Sequence, residues 1–331
     1  MIPNFPPSYR ELQVLYSDFE AQFEYRRESF RDFLAYYLKQ VSLSDLEKEL
    51  AKNDATAQAV KTALRQRHFY RSATCFYRCF DLFLAYISLQ NKMFGTWSQV
   101  TGYYSRFYFV QAFVNLLQAN WFANEDRLPA AGLINRKEAV FYVYNTGRSI
   151  AFLNEHELYQ ALQLGNRRGS HQVWWSIYKS LGQLRDYPQF EALEFVLSDG
   201  YFNPASRNEV NYSHEYVQAF PELEWFDSAT DSMMAQFSCQ SRRGDRDITN
   251  IDRFFGDRDP EDCDEGDFYG DEAQMLWCSI DCYLRFLAAL KVKQDFVTVE
   301  KLEALAAAHF EDRFPNLLKG IIVSTREALN I

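Results

Sequence analysis

The chain contains few of the residues that make tight turns. Only 13 glycines and 9 prolines occur in 331 residues, and proteins built entirely from β-strands need many more turns than these supply. No apolar run approaches the roughly 18 residues that a membrane-spanning helix requires. The opening segment, MIPNFPPSYREL, also lacks the basic region and apolar stretch of a signal peptide. We therefore expect a cytoplasmic protein that does not associate with membranes.

Several enzyme signatures are also missing. The sequence has no glycine-rich phosphate loop, no GxSxG, no HExxH and no CxxC, and this disfavours nucleotide hydrolysis and metal-dependent chemistry. We predict no cofactor and no metal site. The net charge of −10 argues against a broad nucleic-acid-binding surface. It leaves room for a small pocket that handles a single phosphate.

The six cysteines suit a reducing compartment. Four of them form two i, i+4 pairs on apolar helices, Cys75 with Cys79 and Cys278 with Cys282. We expect small buried core residues. A four-thiolate zinc site is the alternative, although zinc sites usually use closer CxxC spacings.

What the chain has in abundance is apolar and aromatic residues, at 47% and 17%, which exclude global disorder. Their spacing in alternating steps of three and four predicts helices over 8–40, 43–66, 67–92 and 99–122. The fold class is therefore mainly α: a helical bundle with a small β-hairpin insertion and a C-terminal helical extension. The predicted organisation is a long N-terminal helix and connector (1–66), a helical core (67–240) with the hairpin near 138–153, an acidic linker (241–271) and a C-terminal helical pair (272–331).

Two charged stretches have plain structural interpretations. Twelve Asp and Glu residues lie between Asp245 and Glu272, but no register fits a calcium-binding EF-hand. We expect a solvated, acidic loop there. The basic run from Arg65 to Arg71, which includes His68, is predicted to be a solvated helix face or a salt-bridge partner for the acidic loop.

Two segments carry the functional hypothesis. The first is GYYSRFYFVQAFVNLL, residues 102–117, an aromatic helix suited to burial. The second is RNEVNYSHEY, residues 207–216, which follows a helix-start signal at Asn203-Pro204. It places Arg207, Asn211 and His214 at i, i+4 and i+7, on one helical face.

This order of motifs resembles the HEPN superfamily (higher eukaryotes and prokaryotes nucleotide-binding domain). Members have an aromatic helix of the YYxxFY type and a later helix with Arg, a polar residue, a short spacer and His. Here the elements read YYSRFY and Arg207-Asn208-(five residues)-His214, and His214-Glu215-Tyr216 is similar to the HxY ending of toxin members. The resemblance covers about residues 67–220.

The resemblance implies a metal-independent ribonuclease with a composite site at a homodimer interface, in a bacterial toxin–antitoxin or antiviral defence system. His214 would transfer a proton and Arg207 would hold the phosphate. Asn208 and Asn211 would orient the phosphate or the imidazole, with Tyr216 in support. The implied partners are an RNA substrate, a second copy of the chain and a partner protein. The alternative is a non-catalytic helical scaffold or adaptor of a multi-protein complex.

Overall fold

The structure is a computed structural model that describes about half of the chain. The described residues are 6–17, 19–20, 48, 50–52, 55–90, 95–122, 141–145, 150–164, 170–181, 265–310, 322, 325–326 and 328–329. Within them the protein is mainly α-helical with one small sheet, as the sequence predicts. The elements are α1 (Tyr9–Ser17), α2 (Ala55–Gln90), α3 (Gly95–Leu116), β1 (Ala119–Phe122), β2 (Phe141–Asn145), β3 (Ile150–Asn154), α4 (Glu155–Ala161), α5 (Ser170–Lys179), α6 (Glu265–Ala289) and α7 (Val299–Phe310).

The first helix is much shorter than the predicted 8–40 helix. It begins with a capping box, in which the Glu11 backbone N–H donates to Ser8 Oγ and the Ser8 backbone N–H donates to Glu11 Oε2. It ends at Ser17, and Glu20 instead forms an isolated bridge with Lys293. Phe19 packs edge-on against Tyr16 at 5.5 Å between ring centroids. The prediction of one continuous helix is wrong here because tertiary packing redirects a segment whose periodicity alone favours a helix.

The second helix is longer than predicted. α2 spans 36 residues without interruption, so the expected boundary between residues 66 and 67 does not exist. No glycine or proline occurs between Ala55 and Gln90, and nothing local therefore breaks the helix. At about 1.5 Å per residue it is about 54 Å long.

The β-hairpin insertion is confirmed, and a third strand extends it. β2 and β3 are antiparallel, with Phe141 opposite Asn154 and Asn145 opposite Ile150. β1 pairs antiparallel with β2, which gives the strand order β1-β2-β3. Residues 119–122 were expected to be helical, but α3 ends at Leu116 and Gln118 adopts a left-handed backbone with φ of 65°. A left-handed residue after the last turn is a common way to terminate a helix.

The C-terminal pair of helices also starts earlier than predicted. α6 begins at Glu265, so residues 265–271 of the expected acidic linker are helical. Acidic residues are favoured in the first turn of a helix by its macrodipole, so acidity alone does not mark a loop. α7 is capped by Thr298, whose Oγ1 accepts a hydrogen bond from the Lys301 backbone N–H.

The chain divides into two compact units. Unit 1 comprises Met1–Thr74, Val110–Tyr187 and Leu290–Phe296, and unit 2 comprises Cys75–Phe109, Pro188–Ala289 and Val297–Ile331. In unit 1, Tyr16, Phe19, Phe69 and Phe296 make edge or tilted ring contacts.

Unit 2 has an aromatic core of its own. Phe76 stacks on Tyr283 with 4.2 Å between the ring centroids and 11° between the planes, and both side chains are completely buried. Phe83 lies beside Trp277 at 5.7 Å. These contacts hold the unit 2 part of α2 against α6.

Candidate functional site

The predicted catalytic residues lie outside the described part of the chain. Arg207, Asn208, Asn211, His214 and Tyr216 all fall there, so their shared helical face and the composite dimer site stay predictions. The aromatic half of the motif is described in full.

The aromatic helix is buried as the sequence predicts. Between Gly102 and Leu117 every side chain is buried except Tyr104 and Tyr108, which are partly exposed. Tyr103 and Phe107 lie in the interior with their rings parallel, 6.4 Å apart between centroids. Ser105 is buried as well and donates a 2.8 Å hydrogen bond to the Cys79 carbonyl. Through Ser105, the YYSRFY segment of α3 is therefore hydrogen-bonded to the unit 2 part of α2.

The arginine of this segment is an interior residue. Arg106 is 6% exposed. Its charge lowers the pKa of the Cys278 thiol, but burial raises this pKa by more.

On α6, Asp281 is 1% exposed and accepts a 2.7 Å hydrogen bond from Arg285 Nε. Because a charge without a partner is costly in the interior, this ion pair is part of what makes the burial of Asp281 tolerable.

The four described cysteines behave as core residues. Cys75, Cys79 and Cys282 are buried and Cys278 is partly buried, all as free thiols. Burial raises the pKa of Cys79 and of Cys278 to about 12. These thiols stay protonated at neutral pH, and a protonated thiol is a poor nucleophile and metal ligand. In the described part of the chain no three His, Cys, Asp or Glu side chains come together as a metal site.

The basic run on α2 is not the solvated face that the sequence predicts. Gln66, Arg67 and His68 are 9%, 4% and 0% exposed. Arg65 Nη1 donates to the Leu15 carbonyl at 3.0 Å, and Gln66 Nε2 donates to the Glu20 carbonyl at 2.6 Å. The prediction of a solvated face is wrong because the N-terminal segment lies against this part of α2 and uses its polar groups. The acidic loop, the alternative partner predicted for the run, lies mostly outside the described residues.

A buried polar cluster surrounds the end of α3 in unit 1. Tyr16 Oη donates to the Leu116 carbonyl at 2.8 Å and accepts from Gln118 Nε2 at 2.7 Å. His68 lies next to Gln118, and burial lowers the pKa of the His68 imidazole to about 3. The charges of Arg67 and Arg71 also lower this pKa, whereas the Gln118 side chain raises it. The imidazole is therefore neutral throughout the physiological range. No sequence pattern indicates that His68 is a buried, neutral histidine, since its neighbours on α2 are basic.

One exposed stripe interrupts the burial of α3. Trp97 is 66% exposed, and Thr101, Tyr104 and Tyr108 are partly exposed. Across from them on α2, the exposed Arg78 places its guanidinium carbon 5.3 Å from the centroid of the Tyr108 ring. All of these residues belong to unit 2. Sequence reasoning missed them, although the i, i+4, i+7 and i+11 spacing of residues 97, 101, 104 and 108 was available as a signal.

Comparison of the chain with protein-family models, curated proteins and solved structures finds no match. Among the described helices, none is both long and apolar enough to cross a membrane.

Proposed function

We propose that the chain is a HEPN-like, metal-independent ribonuclease that acts as a homodimer in a bacterial toxin–antitoxin or antiviral defence system. The observation that supports the proposal most is the placement of YYSRFY. It lies within a 22-residue helix of a mainly α protein, with its Tyr103 and Phe107 in the interior. The resemblance to HEPN proteins implies a helix for an aromatic motif of this type.

The charge distribution removes one objection to an RNA substrate. Although the whole chain carries −10, residues 55–116 contain seven Lys and Arg and a single carboxylate, Asp81. This segment therefore has a net charge of +6, and the remainder of the chain has −16. Arg67 and Arg106 are buried, so the other five cations of the segment would attract a polyanion, even though the total charge of the chain is negative.

The proposed chemistry needs no metal. A histidine has an ordinary pKa near 6.5, and His214 can therefore remove the proton from a ribose 2′-hydroxyl or protonate the leaving 5′-oxygen near neutral pH. The Arg207 guanidinium can hold two non-bridging phosphate oxygens and stabilise the negative charge that develops on them. Asn208, Asn211 and Tyr216 would orient these groups.

A second candidate function is a non-catalytic scaffold, and one observation favours it. Arg106, the charged residue of the YYSRFY segment, is buried among core residues of unit 2 and is 6% exposed. A buried charged residue is what we expect of an aromatic motif that serves only for packing. Such a motif can remain in a protein that has no catalytic histidine.

Incubation of the purified protein with total RNA in excess EDTA separates the two functions. We expect cleavage by the wild type and loss of cleavage in Arg207→Ala and His214→Ala, each with the helical circular dichroism of the wild type. His156→Ala is a matched control, because this histidine is exposed on α4 and outside the motif. Cleavage that is unchanged in Arg207→Ala and His214→Ala would show that the proposed residues are wrong.

The dimer requirement has its own test. Mixing Arg207→Ala with an excess of the His214→Ala protein would restore part of the activity if each composite site takes residues from two copies. If the mixture stays inactive while the wild type cleaves, the site is complete within one chain and the composite arrangement is wrong.

A further inference from the structure

The exposed stripe of α3 is an aromatic surface on a helix that is otherwise buried from Gly102 to Leu116. Trp97, Tyr104 and Tyr108 lie at i, i+7 and i+11, which places them on one face of the helix. Eleven helical steps separate Trp97 from Tyr108, or about 16 Å at 1.5 Å per residue. Trp97 is one of two strongly exposed large apolar residues among the described positions, the other being Val14 of unit 1. An exposed tryptophan beside two partly exposed tyrosines costs solvation free energy that burial against a ligand would recover.

A cation is fixed beside this surface. The guanidinium of the exposed Arg78 lies over the Tyr108 ring, at 5.3 Å from its centroid. Arginine stacks on aromatic rings, and its N–H groups can then point past the edge of the ring. Such a guanidinium is held in place and can still donate hydrogen bonds to a phosphate.

The helix that carries the aromatic rings has no opposing charge of its own. α3 contains no Asp or Glu in 22 residues, whereas the average composition of the chain, 45 in 331, would place about three there. The carboxylate of Asp81, one turn from Arg78 on α2, is hydrogen-bonded at 3.0 Å to Nε2 of His309. The ligand that suits flat apolar rings and a neighbouring cation is therefore an anion with planar apolar groups.

We propose that Trp97, Tyr104, Tyr108 and Arg78 form a binding surface for single-stranded RNA. Unpaired bases stack on the rings and a phosphate of the same strand binds the Arg78 guanidinium. A duplex would not fit this chemistry, because its base faces are already stacked on one another and inaccessible. The identity of the ligand as RNA rests on the proposed function, whereas the preference for single strands follows from the surface itself.

Binding can be measured apart from cleavage. The probe is a short fluorescent single-stranded oligouridine with 2′-O-methyl groups, which cannot be cleaved through a 2′-hydroxyl, and the readout is fluorescence anisotropy with the full chain. We expect Trp97→Ala and Tyr108→Ala each to weaken binding roughly 5- to 150-fold, since one base–aromatic stack is lost. Trp97→Phe, which keeps a ring, is expected to restore most of the affinity. A duplex of the same length should bind more weakly than the single strand.

Arg78 is tested through salt dependence. Loss of one phosphate contact should reduce the slope of log Kd against log salt concentration by about 0.7 for a single strand. Arg78→Ala is expected to show that reduction, and Trp97→Ala is expected to leave the slope unchanged. Val14→Ala is the matched control for loss of an exposed apolar side chain, because Val14 is as exposed as Trp97 and lies in unit 1.

The outcomes separate this inference from the proposed function. Affinity that falls in Trp97→Ala and Tyr108→Ala but not in Val14→Ala supports the surface, whether or not the wild type cleaves RNA. Cleavage that depends on His214 while Trp97→Ala and Tyr108→Ala bind RNA like the wild type supports the enzyme and overturns the surface. Unchanged RNA affinity with an altered oligomeric state of Trp97→Ala in gel filtration assigns the face to a protein contact and also overturns the inference.

Discussion

Replacing His68 with glutamine should remove a defined part of the pH dependence of stability. The imidazole is 0% exposed, and burial is the largest cause that lowers its pKa to about 3. The positive charges of Arg67 and Arg71 lower the pKa further, and the neighbouring Gln118 side chain opposes the shift. In the unfolded chain the imidazole regains an ordinary pKa near 6.5. The folded protein therefore binds this proton far less readily than the unfolded protein does.

The sign and size of the effect follow from this difference. Above pH 6.5 the imidazole is neutral in both states, and the stability of the fold is unaffected by its titration. As the pH falls below 6.5 the unfolded state takes up a proton that the folded state with its pKa near 3 does not. Between pH 7 and pH 5 this linkage lowers the free energy of unfolding by about 2 kcal/mol.

Urea unfolding of the full chain at pH 7 and pH 5 measures the effect. We expect the wild type to lose about 2 kcal/mol more between these pH values than His68→Gln does. The comparison uses the difference between two pH values for each protein, so a constant cost of the substitution cancels. His156→Gln is the control for replacing a histidine, since His156 is exposed in the same unit.

A second readout follows the imidazole directly. The ring C–H signals of His68, identified in NMR spectra by their absence in His68→Gln, should not shift between pH 8 and pH 5. An imidazole that titrates near its ordinary pKa, or an equal pH dependence of stability in wild type and His68→Gln, would refute the account of a neutral, desolvated histidine.

Three further substitutions have defined expected effects on urea unfolding. Tyr16→Phe should destabilise the protein by about 1–3 kcal/mol, because it removes a buried hydroxyl that pairs with Gln118 and with a backbone carbonyl. Phe76→Ala should cost about 3–5 kcal/mol, since its ring is completely buried and stacked on Tyr283. Lys291→Gly should stabilise the protein by up to about 1 kcal/mol, because Lys291 has a left-handed backbone, φ of 53°, just after α6.

Each of these has a matched control in the described part of the chain. Tyr9→Phe changes a tyrosine of the same helix that is partly exposed, and Trp97→Ala removes a large ring that is 66% exposed. Both should cost well under 1 kcal/mol. Lys61→Gly places glycine inside α2 and should destabilise by about 1 kcal/mol, opposite in sign to Lys291→Gly. A stabilising Lys61→Gly or a destabilising Lys291→Gly would contradict the backbone argument.

The sequence predicts what short-range patterns determine. Helical periodicity identifies the mainly α class, and the β-prone residues on either side of a turn sequence in 138–153 identify the hairpin that β2 and β3 form. The pairing of β1 with β2 was not predictable, because the aromatic run continues to residue 122 and the helix ends through the left-handed Gln118. The Gln118 side chain is hydrogen-bonded to Tyr16, a residue 102 positions away.

Burial of charged residues was the least predictable property. The run from Arg65 to Arg71 has the composition of a solvent-facing surface, and yet His68 is completely buried. What buries this face is the N-terminal segment, through hydrogen bonds that Arg65 and Gln66 make to the carbonyls of Leu15 and Glu20. A sequence motif reports which residues share a helical face, whereas the neighbour that covers the face is decided by the rest of the chain.

Because a motif does not report which of its residues are buried, substitutions that test the function are best placed at positions that the structure shows to be exposed. Ser105 and Arg106 belong to the motif that points to RNA cleavage, but both are interior residues of unit 2. Their replacement would destabilise the fold, because a buried polar group with defined partners is costly to remove. Such variants therefore cannot test the proposed cleavage. Trp97 and Arg78 lie at exposed positions of the same helical unit. Substitution there changes a surface with little effect on the core, so altered RNA affinity in Trp97→Ala or Arg78→Ala reports on recognition itself.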